Sequence, residues 1–201
     1  MKLGLFLMPS HPPERTPYDA QQWNLDCLEM ADNYGYDEAW IGEHFTSPWE
    51  PVPSPDILIA QALMRTKNIK LGTGAHLLPF HHPVELAHRV AFLDHLAQGR
   101  YMFGIGSGGL QSDHELFDVD MESGEHREMT RESLDIILKV WEHIEGPFKY
   151  EGKFWNFSIP DPKEYEFADL RGFLKPYQQP HPPIWVGAHS PASPEHAAKN
   201  N

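Results

Sequence analysis

Apolar positions follow two different periods along the chain, and the two periods alternate from the first residues onwards. Four short apolar runs are typical of buried strands: residues 2–8, 38–45, 69–77 and 100–108. Four other stretches space their apolar side chains three or four positions apart, as helices do: residues 19–34, 55–67, 83–98 and 126–143. Because strand and helix alternate, the pattern predicts βαβ units and a parallel sheet.

The alternation breaks after helix 126–143. Residues 147–180 predict a hairpin and a proline-rich excursion outside the main sheet, and a fifth strand follows in PPIWVGAHS, residues 182–190. The last residues predict the start of a further helix. Periodicity alone fits either an open doubly wound sheet or part of a (β/α)8 barrel, which typically needs about 250 residues. In the barrel case we expect one domain over residues 1–201 whose barrel is truncated.

Composition narrows the class of protein. The chain has 201 residues, of which 40% are hydrophobic, and this is enough for one domain with a sizeable core. Its net charge of −13 disfavours binding to nucleic acid or to an anionic membrane surface. Cys27 is the single cysteine, so we expect no internal disulfide and a cytoplasmic location. No apolar run is long enough to cross a bilayer.

The residues with useful chemistry cluster at the carboxyl ends of the predicted strands, where parallel α/β folds bind their ligands. Strand 38–45 ends in Glu43 and His44. Alternation puts these two side chains on opposite faces, with Gly42 leaving space on the face of His44. His44 is therefore the candidate donor or proton handler, and Glu43 the candidate for a supporting role.

Other polar motifs leave alternatives open. The run GIGSGG, residues 104–109, lacks the spacing of a dinucleotide fingerprint, but its glycines would let a flat ligand approach the strand. Ser190 and Ser193 could bind an anion at a helix start or could simply cap that helix. The 13 histidines include no HExxH and no cysteine pair accompanies them, so we predict no metal site. His88 and His95 on helix 83–98 predict a surface or an interface.

Taken in order, four segments resemble the bacterial luciferase-like, flavin-dependent monooxygenases. They are MKLGLFL, GYDEAWIGEHF, IKLGTGAHLLPFHHPVELAHRVAFLDHLAQGRYMFGIGSGG and PPIWVGAHSPAS, and they span nearly all of residues 1–193. The resemblance implies a (β/α)8 TIM barrel with an excursion before the fifth strand, of which this chain carries about the first five strands. WIGEHF and LPFHHP look closer to a limonene-monooxygenase-like branch than to light emission.

The resemblance also assigns roles to residues. It implies that His44 is the catalytic residue beside the flavin and that the peptide bond between Gly74 and Ala75 is cis. The implied cofactor contacts are Thr73, Gly74, Ala75, Gly106, Ser107, His189, Ser190 and Ser193. Phe6 and Glu43 would lie on the substrate side.

The activity that the resemblance implies is a reduced-FMN-dependent monooxygenase. Such an enzyme inserts one oxygen atom of O2 into an apolar organic substrate through a flavin C4a-(hydro)peroxide. No nicotinamide fingerprint is present, so a separate flavin reductase would supply the reduced flavin. The resemblance further implies a homodimer through the second and third helices, to which a stripe of His88, Ala91 and His95 could contribute.

Two departures keep other functions open. Luciferase has a second histidine where this chain has Phe45, and it has an arginine near the phosphate where this chain has Ser107. An F420-dependent oxidoreductase is therefore one alternative. A non-catalytic flavin-binding subunit is the other.

Overall fold

The structure is a computed structural model that describes residues 1–8, 10–144, 146–159 and 173–187. Eight strands and five α-helices alternate along these ranges. The strands are β1 (Gly4–Leu7), β2 (Glu38–Ile41), β3 (Lys70–Thr73), β4 (His76–Leu77), β5 (Tyr101–Gly106), β6 (Phe148–Glu151), β7 (Asn156–Ile159) and β8 (Ile184–Val186). The helices are α1 (Pro17–Asn33), α2 (Pro55–Arg65), α3 (Pro83–Ala97), α4 (Gln111–Leu116) and α5 (Glu125–Glu142).

Six strands form one sheet in the order β1-β2-β3-β5-β4, with β8 beside β5, and all of its pairs are parallel. Its helices form a continuous layer, because α1 packs on α2, α2 on α3 and α3 on α5. The core between the layers buries side chains such as Leu71, Leu86, Phe103 and Ile137 completely. The predicted α/β fold with a parallel sheet is confirmed.

The other face of the sheet carries large aromatic side chains. Trp40 lies opposite Phe6 on one neighbouring strand and opposite Gly72 on the other. A Cβ atom at Gly72 would come within 2.5 Å of the Trp40 ring, so only glycine leaves room for this indole. Phe6 and Trp185 are more than half exposed on this face.

Local packing shifts several predicted boundaries. The strand predicted over 69–77 is divided into β3 and β4 by Gly74 and Ala75. Helix α1 begins at Pro17, two residues before its predicted start, because the Thr16 hydroxyl accepts the backbone N–H of Asp19. α2 begins beside the predicted cap residue Ser54, but the Ser54 side chain makes no capping bond. Helix α4 is absent from the sequence-based expectation, since its short sequence QSDHEL has no apolar period.

β6 and β7 form an antiparallel hairpin within the predicted excursion. It is held to α5 by the Glu132 carboxylate, which accepts the backbone N–H groups of Lys153, Phe154 and Trp155. Residues 160–172 of the excursion lie outside the described residues. Within the described part of the chain, no helix is long and apolar enough to cross a membrane.

Residues 173–178 cross the end of α5 and the outer side of α3. The Lys175 ammonium donates to the carbonyl oxygens of Val140 and Trp141 in the last turn of α5 and of His143, its C-cap residue. His95 contacts the Lys175 carbonyl, and the His88 ring packs on Phe173. Of the stripe predicted for a dimer interface, Ala91 is fully buried and His88 packs against Phe173, while His95 stays exposed.

Candidate active site

A cavity of about 770 Å³ opens at the carboxyl ends of the parallel strands. This volume lies within the range of small-molecule and cofactor sites. The structure brings to this cavity eight of the predicted site residues: Phe6, Glu43, His44, Thr73, Gly74, Ala75, Gly106 and Ser107. The predicted residues His189, Ser190 and Ser193 lie outside the described residues.

One wall of the cavity is a surface of small residues, Gly74, Ala75, Gly104 and Gly106, which we call the glycine bed. The bond between Gly74 and Ala75 is cis, as the family resemblance implies. A Cβ atom at Gly104 would lie 1.8 Å from the Thr73 carbonyl oxygen, so β3 and β5 touch backbone to backbone here. The glycine bed can therefore receive a flat ring without side chains in the way.

Thr73 supports the glycine bed through its side chain. Its hydroxyl donates to the Gly104 carbonyl (2.8 Å) and accepts the Gly104 N–H (3.1 Å), and Thr73 is completely buried. The hydroxyl is thus engaged by the neighbouring strand, so Thr73 shapes the wall rather than offering a free hydroxyl to a ligand.

His44 lies at the rim of the cavity between two carboxylates. Its Nδ1 is 3.2 Å from Asp113 Oδ2, and its Nε2 is 3.2 Å from Glu50 Oε2. The space expected above Gly42 is filled by Met8, since a Cβ atom at Gly42 would lie 3.1 Å from the Met8 sulfur. The His44 imidazole is therefore contacted by two carboxylates and is not flanked by open space above Gly42.

Asp113 links the loop after β2 to helix α4. Its carboxylate accepts the backbone N–H groups of Phe45 and Thr46 and the Thr46 hydroxyl, besides contacting His44. Burial raises the pKa of Asp113, but the bonds from Thr46 and His44 outweigh burial and lower it below its usual value. A carboxylate that stays ionised can hold the His44 ring in one orientation.

Glu43 lines the cavity, but two histidines engage its carboxylate, and its role on the substrate side stays a prediction. Its carboxylate is completely buried and contacts His76 Nδ1 (2.8 Å) and His81 Nε2 (2.6 Å). Burial raises the pKa of Glu43, yet the hydrogen bonds from the two histidines lower it to about 2. The two neighbours Glu43 and His44 thus have separate partners, as their strand alternation predicts.

The three side chains Glu43, His76 and His81 are also potential metal ligands. Their donor atoms lie within 4.8 Å of one another, and imidazole and carboxylate are ligands that Zn²⁺ accepts. The sequence analysis does not group these residues, because positions 43, 76 and 81 match no metal-binding spacing. Direct hydrogen bonds already join them.

Helix α5 gives the cavity a cationic side. Arg127 and Arg131, one helical turn apart, line the cavity together with Thr130. Within the described ranges, the arginine ion pairs involve Arg65 and Arg89 and neither of these two guanidinium groups. The sequence analysis misses both arginines, although their i, i+4 spacing on a predicted helix is a readable signal.

His114 and His126 form a buried pair between α4 and α5, with ring centroids 5.1 Å apart. Both ring nitrogens of His114 and Nδ1 of His126 are buried and have no hydrogen-bond partner among the described residues. Burial, together with the nearby His114 and Arg127, lowers the pKa of His126. These causes favour the neutral form of His126.

Comparison with known proteins gives consistent matches. The sequence model of a family described as luciferase-like monooxygenases matches residues 1–201. The chain is 35% identical over 180 residues to 3,6-diketocamphane 1,6-monooxygenase of Pseudomonas putida, covering 84% of this chain and 47% of that protein. A solved structure of the oxygenating constituent of that enzyme, in complex with FMN, superposes with a TM-score of 0.85 at 36% identity, covering 96% of this chain and 53% of that one.

Two further relatives extend the comparison. The oxygenase component of the flavin-dependent trigonelline monooxygenase of Acinetobacter baylyi is 31% identical over 201 residues, covering all of this chain and 52% of the relative. Limonene 1,2-monooxygenase of Rhodococcus erythropolis is 39% identical over 137 residues, covering 68% of this chain and 35% of the relative. The chain thus spans about half the length of relatives such as these. An F420-dependent reductase of Methanopyrus kandleri shares the fold alone, at 22% identity and a TM-score of 0.71.

Proposed function

The chain belongs to the luciferase-like monooxygenase family, and we propose that it forms the flavin half of a reduced-FMN-dependent monooxygenase acting on an apolar organic substrate. The observation that carries this proposal is the position of His44 at the rim of a cavity whose wall is the glycine bed. A flat cofactor on this wall would lie beside the imidazole. The FMN-bound relative supports the choice of cofactor.

The described residues fit FMN in size and charge. A cavity of about 770 Å³ accommodates a tricyclic ring with its side chain, and the glycine bed suits the ring. Arg127 and Arg131 supply cations for a phosphate, which compensates for Ser107 at the position where luciferase has an arginine. When bound and reduced, FMN supplies the electrons that activate O2. Ser190 and Ser193 are proposed as further phosphate contacts.

The protein's own groups would orient the reaction and keep it dry. Phe6, Met8 and Trp40 line the cavity with apolar surface, which excludes water and suits an apolar substrate. His44 is the nearby proton donor, held by Asp113 through Nδ1. Its Nε2 contacts the Glu50 carboxylate at 3.2 Å.

Two partners complete the proposal. A relative that matches all of this chain is the oxygenase component of its monooxygenase, which supports a separate flavin reductase as the source of reduced FMN. A homodimer through α2 and α3 is supported by an exposed apolar row along these helices: Ile57, Met64, Phe92 and Leu96. His88, Ala91 and His95 are not among these four side chains.

A substitution of His44 tests the function. We expect His44→Ala in the full-length protein to lower oxygen transfer by roughly 100-fold, the scale of a lost acid–base group, while FMN binding changes little. The probe reaction uses 2,5-diketocamphane or limonene, a flavin reductase and ¹⁸O2, and mass spectrometry measures ¹⁸O in the product. Fluorescence quenching measures binding of FMN.

The matched control is His82→Ala, because His82 is exposed and makes no capping bond to α3. Tighter binding of F420 than of FMN would instead favour the F420-dependent alternative. FMN binding by a wild-type protein that transfers no oxygen to either probe would favour the non-catalytic subunit.

A further inference from the structure

We infer that Glu43 and His76 act as a positioning pair that sets the spacing between His44 and the glycine bed, and that His81 and Arg89 hold this pair in one hydrogen-bonding arrangement. The inference rests on the proposed function, since it concerns how the candidate catalytic group is placed. It assigns a role to a buried network of carboxylate and histidine side chains beside the cavity.

Glu43 and His76 can affect the cavity because each is a sequence neighbour of a residue that lines it. Glu43 directly precedes His44, and His76 directly follows Ala75 of the glycine bed. The hydrogen bond between Glu43 Oε2 and His76 Nδ1, 2.8 Å long, therefore ties the end of β2 to the start of β4. Both side chains are completely buried, so water cannot replace either partner. A change in this bond moves two neighbouring backbone segments that line the cavity.

The bonds around His81 fix its tautomer. The Arg89 guanidinium, which can only donate, contacts His81 Nδ1 at 3.2 Å, so Nδ1 must accept. The proton of His81 then lies on Nε2 and is donated to Glu43 Oε1 at 2.6 Å. Arg89 is itself held by the Asp56 carboxylate of α2 (Nε to Oδ2, 2.5 Å).

His76 is fixed by what surrounds its other nitrogen. Nδ1 of His76 contacts an ionised carboxylate, so this nitrogen donates and carries the proton. Nε2 of His76 is buried and has no partner among the described residues. A proton on Nε2 would be an unsatisfied buried donor, which favours the tautomer with its proton on Nδ1.

The same protonation states make the cluster a poor metal site. A metal ion on His81 Nε2 would force the proton of that ring onto Nδ1, where it would face the donors of Arg89. A metal ion on His76 Nδ1 would force a proton onto the buried Nε2. Deprotonated ligand nitrogens are required for metal binding, so the surroundings of both rings oppose it. The network is built for hydrogen bonding.

The test compares Glu43→Gln with Glu151→Gln. The amide that Glu43→Gln introduces accepts from one histidine and turns its NH2 group towards the other donor, whereas Glu151 is an exposed residue of the hairpin. The expected result for Glu43→Gln is a roughly 10- to 100-fold loss of product per O2 consumed, with hydrogen peroxide formed instead, and little change in FMN affinity. Glu151→Gln should leave all three measurements unchanged.

A second readout needs neither flavin nor turnover. ¹⁵N-histidine spectra of the flavin-free protein should show His76 protonated on Nδ1 and His81 on Nε2. Glu43→Gln should shift the ring signals of His44, although the two side chains share no partner. A His44 signal that does not move, or a His81 ring protonated on Nδ1, would overturn the inference.

The two hypotheses fail differently. A wild-type protein without oxygen transfer but with the expected histidine spectra contradicts the proposed function and supports the positioning pair. If Glu43→Gln does not fold, Glu43→Asp keeps the charge but shortens the side chain by one methylene. It should then lower the coupling of O2 to product in the same direction, and unchanged coupling would count against the inference.

Discussion

Asp113 shows how one buried carboxylate can control the candidate catalytic histidine. It bonds His44 Nδ1 and also holds the backbone of the next two residues, Phe45 and Thr46. The ring and the loop that carries it are therefore oriented together. This arrangement gives Asp113 more influence over His44 than a single ion pair would have.

We expect Asp113→Asn to reduce oxygen transfer by roughly 10- to 100-fold, because the amide NH2 group would face His44 Nδ1 and favour the wrong tautomer. FMN affinity should change little. Steady-state product formation and FMN titration measure the two effects. Asp118→Asn is the matched control, since Asp118 is exposed and its positive φ suits asparagine. Equal losses in both variants would contradict a specific role for Asp113.

Strand alternation predicts which way a side chain points, but it does not predict which distant residues the side chain contacts. The strand period gives the opposite orientations of Glu43 and His44, and the family resemblance points to Gly74 and Ala75. Asp113 lies 69 positions from His44, and nothing in local spacing relates the two residues. Periodicity cannot show either that two histidines from other segments surround the Glu43 carboxylate.

At the scale of elements, α4 and α5 meet through the buried pair His114 and His126. The folded state lowers the pKa of His126, so the unfolded chain takes up the proton first as the pH falls. The contribution of neutral His126 to the free energy of unfolding should therefore be complete above about pH 6.5. It should decrease as the pH falls from there towards the lower pKa of the folded state.

Urea unfolding at pH 7.5 and pH 5.5 measures this effect. His126 should contribute at most about 1.4 kcal/mol per pH unit to the loss, the limit for one proton. His126→Leu should flatten the pH dependence by that share, whereas exposed His82→Leu should not. If the free energy of unfolding of the wild-type protein and of His126→Leu depends on pH with the same slope, His126 binds the same number of protons in the folded and unfolded states.

Helices with an apolar stripe are predictable to within a few residues, and α5 is an example. Helix α4 is not, because five of its six residues are polar and the helix is stabilised by the contacts of Asp113 and not by an apolar stripe. The division between β3 and β4 also escapes periodicity. Ile69, Leu71 and Leu77 predict one strand over 69–77, and the division follows from the backbone of Gly74 and Ala75.

For the whole molecule, periodicity predicts the parallel sheet and its order of strands and helices, but it fits two architectures. The family resemblance chooses the barrel, and relatives such as the diketocamphane enzyme share this part of the fold. Neither source predicts that residues 173–178 cover α3, since that contact joins Lys175 to the end of a helix more than 30 positions earlier. The outward surface of the helix layer is therefore known only from the packed structure.

That surface carries the last prediction. Met64 of α2 is 87% exposed and Phe92 of α3 is 58% exposed, and burial of such side chains contributes roughly 1.5–3 kcal/mol each. If α2 and α3 form the homodimer interface, Met64→Lys combined with Phe92→Glu should weaken dimerisation at least roughly 100-fold and leave the circular dichroism spectrum unchanged. Analytical ultracentrifugation over a range of concentrations measures the dimer constant. Tyr18→Lys on α1 is the control at an equally exposed position. A dimer that survives the double substitution must use another surface.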